Sequence, residues 1–586
     1  MNPRERRGRR VRERRIRVGL LITIAIAVPV ALMAGLTAQA VAARTSCNDH
    51  PLEVNVAVAQ DIFPAIKRVG QLFNRQGHQA AGQCVQVQVS EEQPAAVAGQ
   101  VDGQSTTSGL PTADAWIPDS SLWVDVAHAF PLGAERVHAT GIDVARSPLM
   151  IVMPPSAAAQ IPQFNNSVGW SFLLPSSAGG PPASLGVHVE MPDPTQSAAG
   201  LATLVEVGRL LGSGTASRTL LTQFVLSVQS SAEFDDPVSL AAFVSQAGPP
   251  VNARPVTVTS EQAVLTYDAA HPSEPLAARY PSGSSALATP ELNYPYVLTS
   301  SNPAEVTAAN EFGALLRQSY TASLVRYYGF RSGNGVPGTF PAADGLAQQP
   351  LSLATAAAPA EAQTVLQAWQ RVQVGARDLV LMDESSAMSG PSGLPGVSLE
   401  EELTQSAEVG LALFPDSTQM GMWLFGHGVG GSLPYKQVIP VGPLPGELGL
   451  ISRRQQLEEV DDSLRPQSGP VALNQVILAG YQHMVASYQP GITNALIVMT
   501  AGVDSDTGDL PVAQLVSELK SLYKPSRPVE LLIVMLGSQG NLTALQQIAT
   551  AGGGTVFPVS NPGQIGEAFF EGVSRRICQA SGCTAP

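Results

Sequence analysis

The stretch DLVLMDESSAMSG, Asp378 to Gly390, decides how the second half of this chain is read. Leu379 to Met382 is a short apolar run that empties into Asp383, Glu384, Ser385, Ser386 and Ala387. A run of this length, apolar throughout, suits a strand buried on both faces. Acidic and hydroxyl residues at its carboxyl end mark the working edge of a parallel α/β sheet, where ligands bind.

Downstream, strand-like and helix-like runs alternate. Ser398-Leu399-Glu400-Glu401 is a capping box that opens a helix with Leu399 and Leu403 on one side. Met420 to Phe425 reads as a strand ending in the loop Gly426-His427-Gly428, with His427 a loop residue, and Val438 to Val441 as a short edge strand containing Pro440. Helices are expected over 453–464, 471–485, 510–523, 542–551 and 565–577, and strands over 495–500, 529–536 and 555–559. The alternation predicts a doubly wound, Rossmann-like sheet.

Arg377 to Cys578 resembles a von Willebrand factor A (VWA) domain in element order and in local wording: the first strand and loop, GLALFPDSTQMGMWLFG, RPQSGPVALNQVILAGY and ALIVMTAG. The resemblance implies a metal site fed by three loops. Asp383 and Ser385 match its Asp-x-Ser-x-Ser signature, but the last serine is Ala387. Val471 stands where a threonine is implied, and Thr500-Ala501-Gly502 replaces Thr-Asp-Gly. Mg²⁺ demands near-octahedral oxygen coordination, which Asp383 and Ser385 alone do not supply. The site reads as degenerate, with Mg²⁺ at Asp383 and Ser385 the weaker alternative. Glu384, Ser386, Asp504 and Asp506 are the candidate substitutes, with no support from their spacing.

The first half has a different pattern. LEVNVAVA, Leu52 to Ala59, is a strand; Ile62, Ile66, Val69 and Phe73 recur at helical spacing, and Val85 to Val89 is again strand-like. This is a β-α-β start, with Asp61 expected to cap the helix. Asp119 or a following serine, Ser120 or Ser121, caps the helix opened by Leu122 and Trp123, and Trp116 and Trp123 read as core. Ser147 to Val152 is an apolar strand. Gln196 and Ser197 precede a helix that Ser197 caps and Gly212 stops.

Leu52 to Arg331 resembles the bacterial extracellular solute-binding proteins, two-lobed α/β folds of the periplasmic-binding-protein kind. The resemblance rests on the order of VAVAQDIFPAI, DAWIPDSSLW, ARSPLMIVM, DPTQSAAG, TSEQAVLTYD, YPYVLTS and YYGFR. It implies a cleft faced by helix N-termini, whose free N–H groups suit polar ligands. Asp61, Asp119, Ser120, Ser121, Ser147, Gln196 and Ser197 are the cleft candidates. Residues 332–374, rich in Gly, Pro and Ala, read as a linker with one short helix from about Glu361 to Val374.

Charge organises the N-terminus. The chain has 586 residues, 33 of them basic and 47 acidic. The first seventeen hold nine arginines and two glutamates, leaving 24 basic against 45 acidic in the remainder. So acidic a body argues against nucleic acid as a partner. No charge appears from Val18 to Ala43, a run that would span about 39 Å as a helix. With arginines before it, the segment reads as a single-pass anchor, N-terminus inside and bulk outside the cytoplasm. A signal peptide cleaved near Ala38-Gln39-Ala40 is the alternative, and Arg14-Arg15 is a chance pair in an arginine-rich flank.

Four cysteines fit an exported chain. Cys578 and Cys583 are near enough to pair locally, which leaves Cys47 to pair with Cys84 across a loop of about 37 residues, worth about 3–4 kcal/mol in the chain-entropy model. No Gly-x-Ser-x-Gly, Walker, His-Glu-x-x-His or Cys-x-x-Cys motif is present, and carboxylates such as Asp119, Asp193 and Asp383 have no sequence-assigned catalytic partner. The reading is a non-enzymatic protein that is anchored in the membrane and binds a small solute or a protein partner outside the cytoplasm. Its VWA domain contacts protein without metal. The alternatives are a solute receptor for a transporter and a metal-dependent VWA adhesion module.

Overall fold

Val54, Val56 and Val58 are completely buried along β1 (Leu52–Val58), which makes it a central strand. It pairs in parallel with β3 (Gln83–Glu91) on one side and β4 (Ala115–Ile117) on the other. The helix Phe63–Gln76 bridges β1 and β3 and buries Ile66, Val69 and Phe73, as the helical spacing predicts. Pro64 is tolerated in its first turn, and Gly77 ends it at φ +73, a conformation that favours glycine. The computed structural model describes residues 51–559, apart from 104–111, 166–167, 213–214, 229–236, 246–253, 282–288, 339–345, 348–350, 352–357, 374, 393–394, 413, 415–416 and 504. The expected anchor, Cys47, Cys578, Cys583, Asp504 and the helix over 565–577 lie outside the described residues. Among the described residues no helix is long and apolar enough to cross a membrane.

The chain divides into two units, one running to Arg146 and resuming at Asn293–Phe340, the other formed by Ser147–Leu292 and everything from Pro341. In the first unit, β2 (Gln79–Ala80), β5 (His138–Asp143) and β11 (Pro295–Leu298) complete a six-stranded sheet in the order β2-β3-β1-β4-β11-β5. Trp116 and Trp123 are buried in this unit, as core residues. β6 (Ala145–Met153) carries the chain into the second unit. There it pairs with β8 (Arg254–Ser260), β9 (Ala277–Arg279) and β10 (Glu291–Leu292), and β7 (Val187–Val189) adds to β8 in parallel.

The expected linker is partly built into the fold. Ser332 belongs to β12 (Arg331–Ser332), which pairs with Ala145 and Arg146 of β6. Leu346 packs against the core that contains Met150 and Phe243, and the Ala347 N–H donates to the Tyr280 hydroxyl at 3.1 Å. The short helix spans Pro359–Gln373 and lies on the helix Ala198–Leu211. Low charge and many small residues signalled a spacer, but they also suit a segment that lies against a surface.

The final sheet runs β15 (Leu433–Pro443), β14 (Gln419–Gly430), β13 (Ala376–Asp383), β18 (Thr493–Thr500), β19 (Glu530–Leu536), β20 (Thr555–Val559). The chain starts in the middle at β13, moves outward to β15, then returns and moves outward to β20, which is doubly wound order. All strands are parallel except β15. One face is covered by Leu399, Leu403 and Leu457 from the helices Leu399–Ala412 and Arg453–Ser463. The other carries Val476, Leu515 and Leu545 from the helices Leu473–Ala486, Val512–Leu522 and Leu542–Ala551. A small hairpin, β16 (Glu447–Leu448) and β17 (Ile451–Ser452), precedes the 453–463 helix.

The structure corrects one local reading here. β14 does not end at Phe425, and the edge strand is not short. The two form a long antiparallel hairpin through an irregular stretch between Phe425 and Gly430. His427 is therefore an exposed strand residue, not a loop residue. Its glycine neighbours, with Gly428 at φ +73, allow the bulge that keeps the ladder going.

Candidate functional site

In the first unit β1, β4 and β5 run one way and β11 runs the other. The carboxyl ends of β1, β4 and β5 and the start of β11 therefore meet at one edge. This brings Asp61, Asp119, Ser120 and Ser121 together with three residues the sequence reading missed, Asp143, Asn293 and Tyr294. Ser120 caps the helix Ser121–His128, its Oγ accepting the Leu122 N–H at 3.2 Å. The Ser121 N–H donates to Asn293 Oδ1 at 2.8 Å, and Asn293 Nδ2 donates to Asp143 Oδ1 at 3.2 Å. Asp143 also holds Arg146 at 2.7 Å, and Arg146 Nε reaches the Gly333 carbonyl at 2.7 Å. Burial raises the pKa of Asp143, and Arg146 opposes the shift.

Asp61 does not cap its helix. The cap position is Ile62, whose backbone is already helical, so Asp61 sits too early to reach the second or third N–H. Instead Asp61 Oδ1 accepts the Ile62 N–H at 2.8 Å, and Oδ2 accepts the Tyr294 hydroxyl. Desolvation pushes the Asp61 pKa up to about 6, with the Tyr294 hydroxyl and the Ile62 N–H pulling it back. Tyr294 is completely buried, its ring meets Phe330 edge-on at 5.1 Å, and its N–H donates to the Asp119 carbonyl at 3.2 Å. Its φ of +41 is rare for a residue with a side chain.

The second unit has its own edge, at the carboxyl ends of β7 and β8 and the start of β6. Ser147 Oγ accepts the Gln262 N–H at 3.0 Å, and Ser260 Oγ accepts the Ala263 N–H at 3.1 Å, so two serines cap the helix Glu261–Ala270. Ser197 Oγ accepts the Gly200 N–H at 3.1 Å, as expected of a cap, whereas Gln196 is exposed beside it. A side chain at Gly200 would place its Cβ 2.1 Å from the Pro192 carbonyl, so the Asp193–Ser197 turn requires glycine there. Glu261, completely buried, accepts the Tyr280 hydroxyl. No local sequence signal linked those two residues.

At the edge of the final sheet Asp383 is 3 % exposed. Its Oδ1 accepts the Ser385 N–H at 2.8 Å; its Oδ2 accepts the Thr500 hydroxyl at 2.6 Å and the Ala501 N–H at 3.2 Å. Burial raises its pKa, and these donors work against the rise, Thr500 most. Val471 is buried in one apolar layer and Ala501 in the other, while Ala387 packs against the second. The Val471 N–H donates to Ser505 Oγ at 3.0 Å, which ties its loop to the 505–506 backbone. Glu384 turns to the Arg465 N–H at 3.4 Å, and Asp506 accepts the Gly508 N–H at 2.9 Å.

Both Asp383 oxygens are engaged by protein donors, and Val471 and Ala501 carry methyl groups where the VWA resemblance implies oxygens.

Comparison with known proteins bears on the first two of these edges. Residues 54–331 match the family described as bacterial extracellular solute-binding protein. An uncharacterized protein of Mycobacterium tuberculosis, recorded for two strains, is 23% identical over 279 residues, which are 47% of this chain and 39% of that protein. The match thus spans well under half the length of these curated relatives. Among solved structures, a sulfate-binding protein from Mycobacterium tuberculosis is 17% identical, covering 48% of this chain and 87% of that chain at a TM-score of 0.33. A von Willebrand factor type A structure from Catenulispora acidiphila is 18% identical, covering 35% of this chain and 43% of that chain at a TM-score of 0.27. Residues 54–331 are thus similar in sequence to bacterial extracellular solute-binding proteins, a family of ligand-binding receptors.

Proposed function

We propose that this chain is a membrane-anchored, extracytoplasmic solute-binding protein whose VWA-like domain contacts a protein partner without a metal ion. The observation that carries the solute reading is the convergence of Asp61, Asp119, Ser121, Asn293 and Tyr294 on one sheet edge, within the stretch that matches the solute-binding family. A buried tyrosine in a rare backbone conformation, bonded to a carboxylate with a raised pKa, is the kind of strain that clusters at ligand sites. The ligand is a small polar solute held by N–H groups and carboxylates at the strand ends. Residues 18–43 form the anchor, supported by their lack of charge after an arginine-rich tail. Cys84 pairs with Cys47 in this reading, in keeping with four cysteines in an exported chain. The Asp383 carboxylate, held by three protein donors, supports a VWA-like domain that does without a cation.

A thermal-shift screen of the full chain against sugars, amino acids and oxyanions tests the solute reading. A saturable shift that Tyr294→Phe weakens at least tenfold in apparent affinity is expected. A shift unchanged by Tyr294→Phe, Asp61→Asn and Ser121→Pro alike would place the ligand elsewhere.

A further inference from the structure

In the second unit, two helices open at the edge that carries Ser147 and Ser197. Both are fastened to the segment that leads to β13. The helix Ala198–Leu211, capped by Ser197, carries Gly208 and Arg209 near its C-terminal end. Arg209 grips Glu361 through two contacts, Nε to Oε1 at 3.2 Å and Nη2 to Oε2 at 2.8 Å, and is itself steadied by Glu206 at 2.8 Å. Gly208 lets Val365 approach: a Cβ there would lie 3.2 Å from the Val365 methyl. Ala362, Val365, Leu366 and Trp369 form one buried stripe along the helix Pro359–Gln373, with Ala362 and Trp369 at 0% exposure. The second fastening starts at the helix Glu261–Ala270. Its first residue, Glu261, holds the Tyr280 hydroxyl, and that hydroxyl accepts the Ala347 N–H at 3.1 Å.

The other end of the connection is short. The 359–373 helix stops at Gln373 and β13 starts at Ala376, so only two residues intervene. Fully extended, that tether reaches about 10 Å from the last helical Cα to the first strand Cα. β13 is the central strand of the final sheet, and it ends at Asp383. The helix therefore cannot travel far without moving the strand.

We propose that the 359–373 helix is a coupling arm. It carries displacements of the 198–211 helix, whose N-terminus opens at the second unit's edge beside Ser197, to β13 and so to the sheet edge that carries Asp383. A solute held at that second edge would then be reported to the face where the VWA-like domain meets its partner. That last step rests on the solute-binding reading; the mechanical link does not. The warrant is the buried stripe from Ala362 to Trp369, a partly exposed bidentate ion pair between Arg209 and Glu361, and a two-residue tether.

Hydrogen exchange on the full chain tests the link without any ligand, so its outcome is independent of whether a solute is found. Ser197→Ala loosens the start of the 198–211 helix. Exchange is expected to rise at least threefold in 198–211, in 359–373 and in the first residues of β13, while the 542–551 helix stays within 1.5-fold of wild type. In an Arg209→Ala background the same cap substitution is expected to act on 198–211 alone. The charge-swapped pair Arg209→Glu with Glu361→Arg is expected to restore the spread to 359–373. Thr195→Val, which removes the 2.8 Å bond from its hydroxyl to Asp193, is a milder perturbation should the cap variant fail to fold. The proposal is overturned if either perturbation leaves 359–373 unchanged with Arg209 intact, or if the spread persists once Arg209 is removed.

Discussion

Tyr294 holds a backbone conformation that costs on the order of 1–3 kcal/mol, and its buried ring and the Asp61 hydrogen bond keep it there. Its hydroxyl is the largest of the influences that lower the Asp61 pKa. Tyr294→Phe is therefore expected to push Asp61 above about 6, read by carbon-detected NMR titration of the carboxyl; an unchanged value would refute the pairing. The same shift sets a pH dependence. Asp61 titrates at about 6 when folded against an ordinary 3.8, so the folded state holds the proton more tightly. Its contribution to stability is complete below about pH 3.8 and is lost as pH rises through about 6. Asp61→Asn should flatten that part of the melting-temperature profile. Asp125, also at about 6, supplies a residual slope that remains in the variant. Asp61 was legible as a candidate because it stands where a strand meets a helix. Tyr294 and Asn293 were not, because only the antiparallel insertion of β11 brings them back to partners 150 to 233 residues away.

Elements with local signals were read closely. The Ser398 box forms reciprocally: Ser398 Oγ accepts the Glu401 N–H at 3.2 Å, and the Ser398 N–H donates to Glu401 Oε2 at 2.9 Å. Ser398→Ala is expected to cost about 1 kcal/mol, seen as a lower unfolding midpoint in urea, and Ser398→Thr should recover most of it. A midpoint unchanged by Ser398→Ala would mean that the 399–412 helix does not limit stability. The β14–β15 hairpin was harder. His427-Gly428-Val429-Gly430-Gly431 has the composition of a loop, yet a bulge lets it continue the ladder. The 359–373 helix was expected, from about Glu361 to Val374. Its seat on the 198–211 helix was not, because an arginine and a glutamate about 150 residues apart carry no shared pattern.

At the scale of the molecule, the alternation of strands and helices was enough to predict α/β sheets, and the final sheet has the doubly wound order expected. The strand ends of that sheet are where the sequence resemblance to VWA domains implies a cation. Here Thr500 and the backbone at Ser385 and Ala501 donate to both oxygens of Asp383, while Val471 and Ala501 are buried in the two apolar layers. The sequence pointed to those substitutions; how Asp383 is satisfied instead depends on side-chain geometry that no spacing encodes. Isothermal titration calorimetry of the full chain with Mg²⁺ and Mn²⁺ tests this directly. No saturable heat below millimolar cation is expected, for the wild type and for Asp383→Ala alike. Micromolar binding that disappears in Asp383→Ala would contradict the account and restore a metal-dependent site.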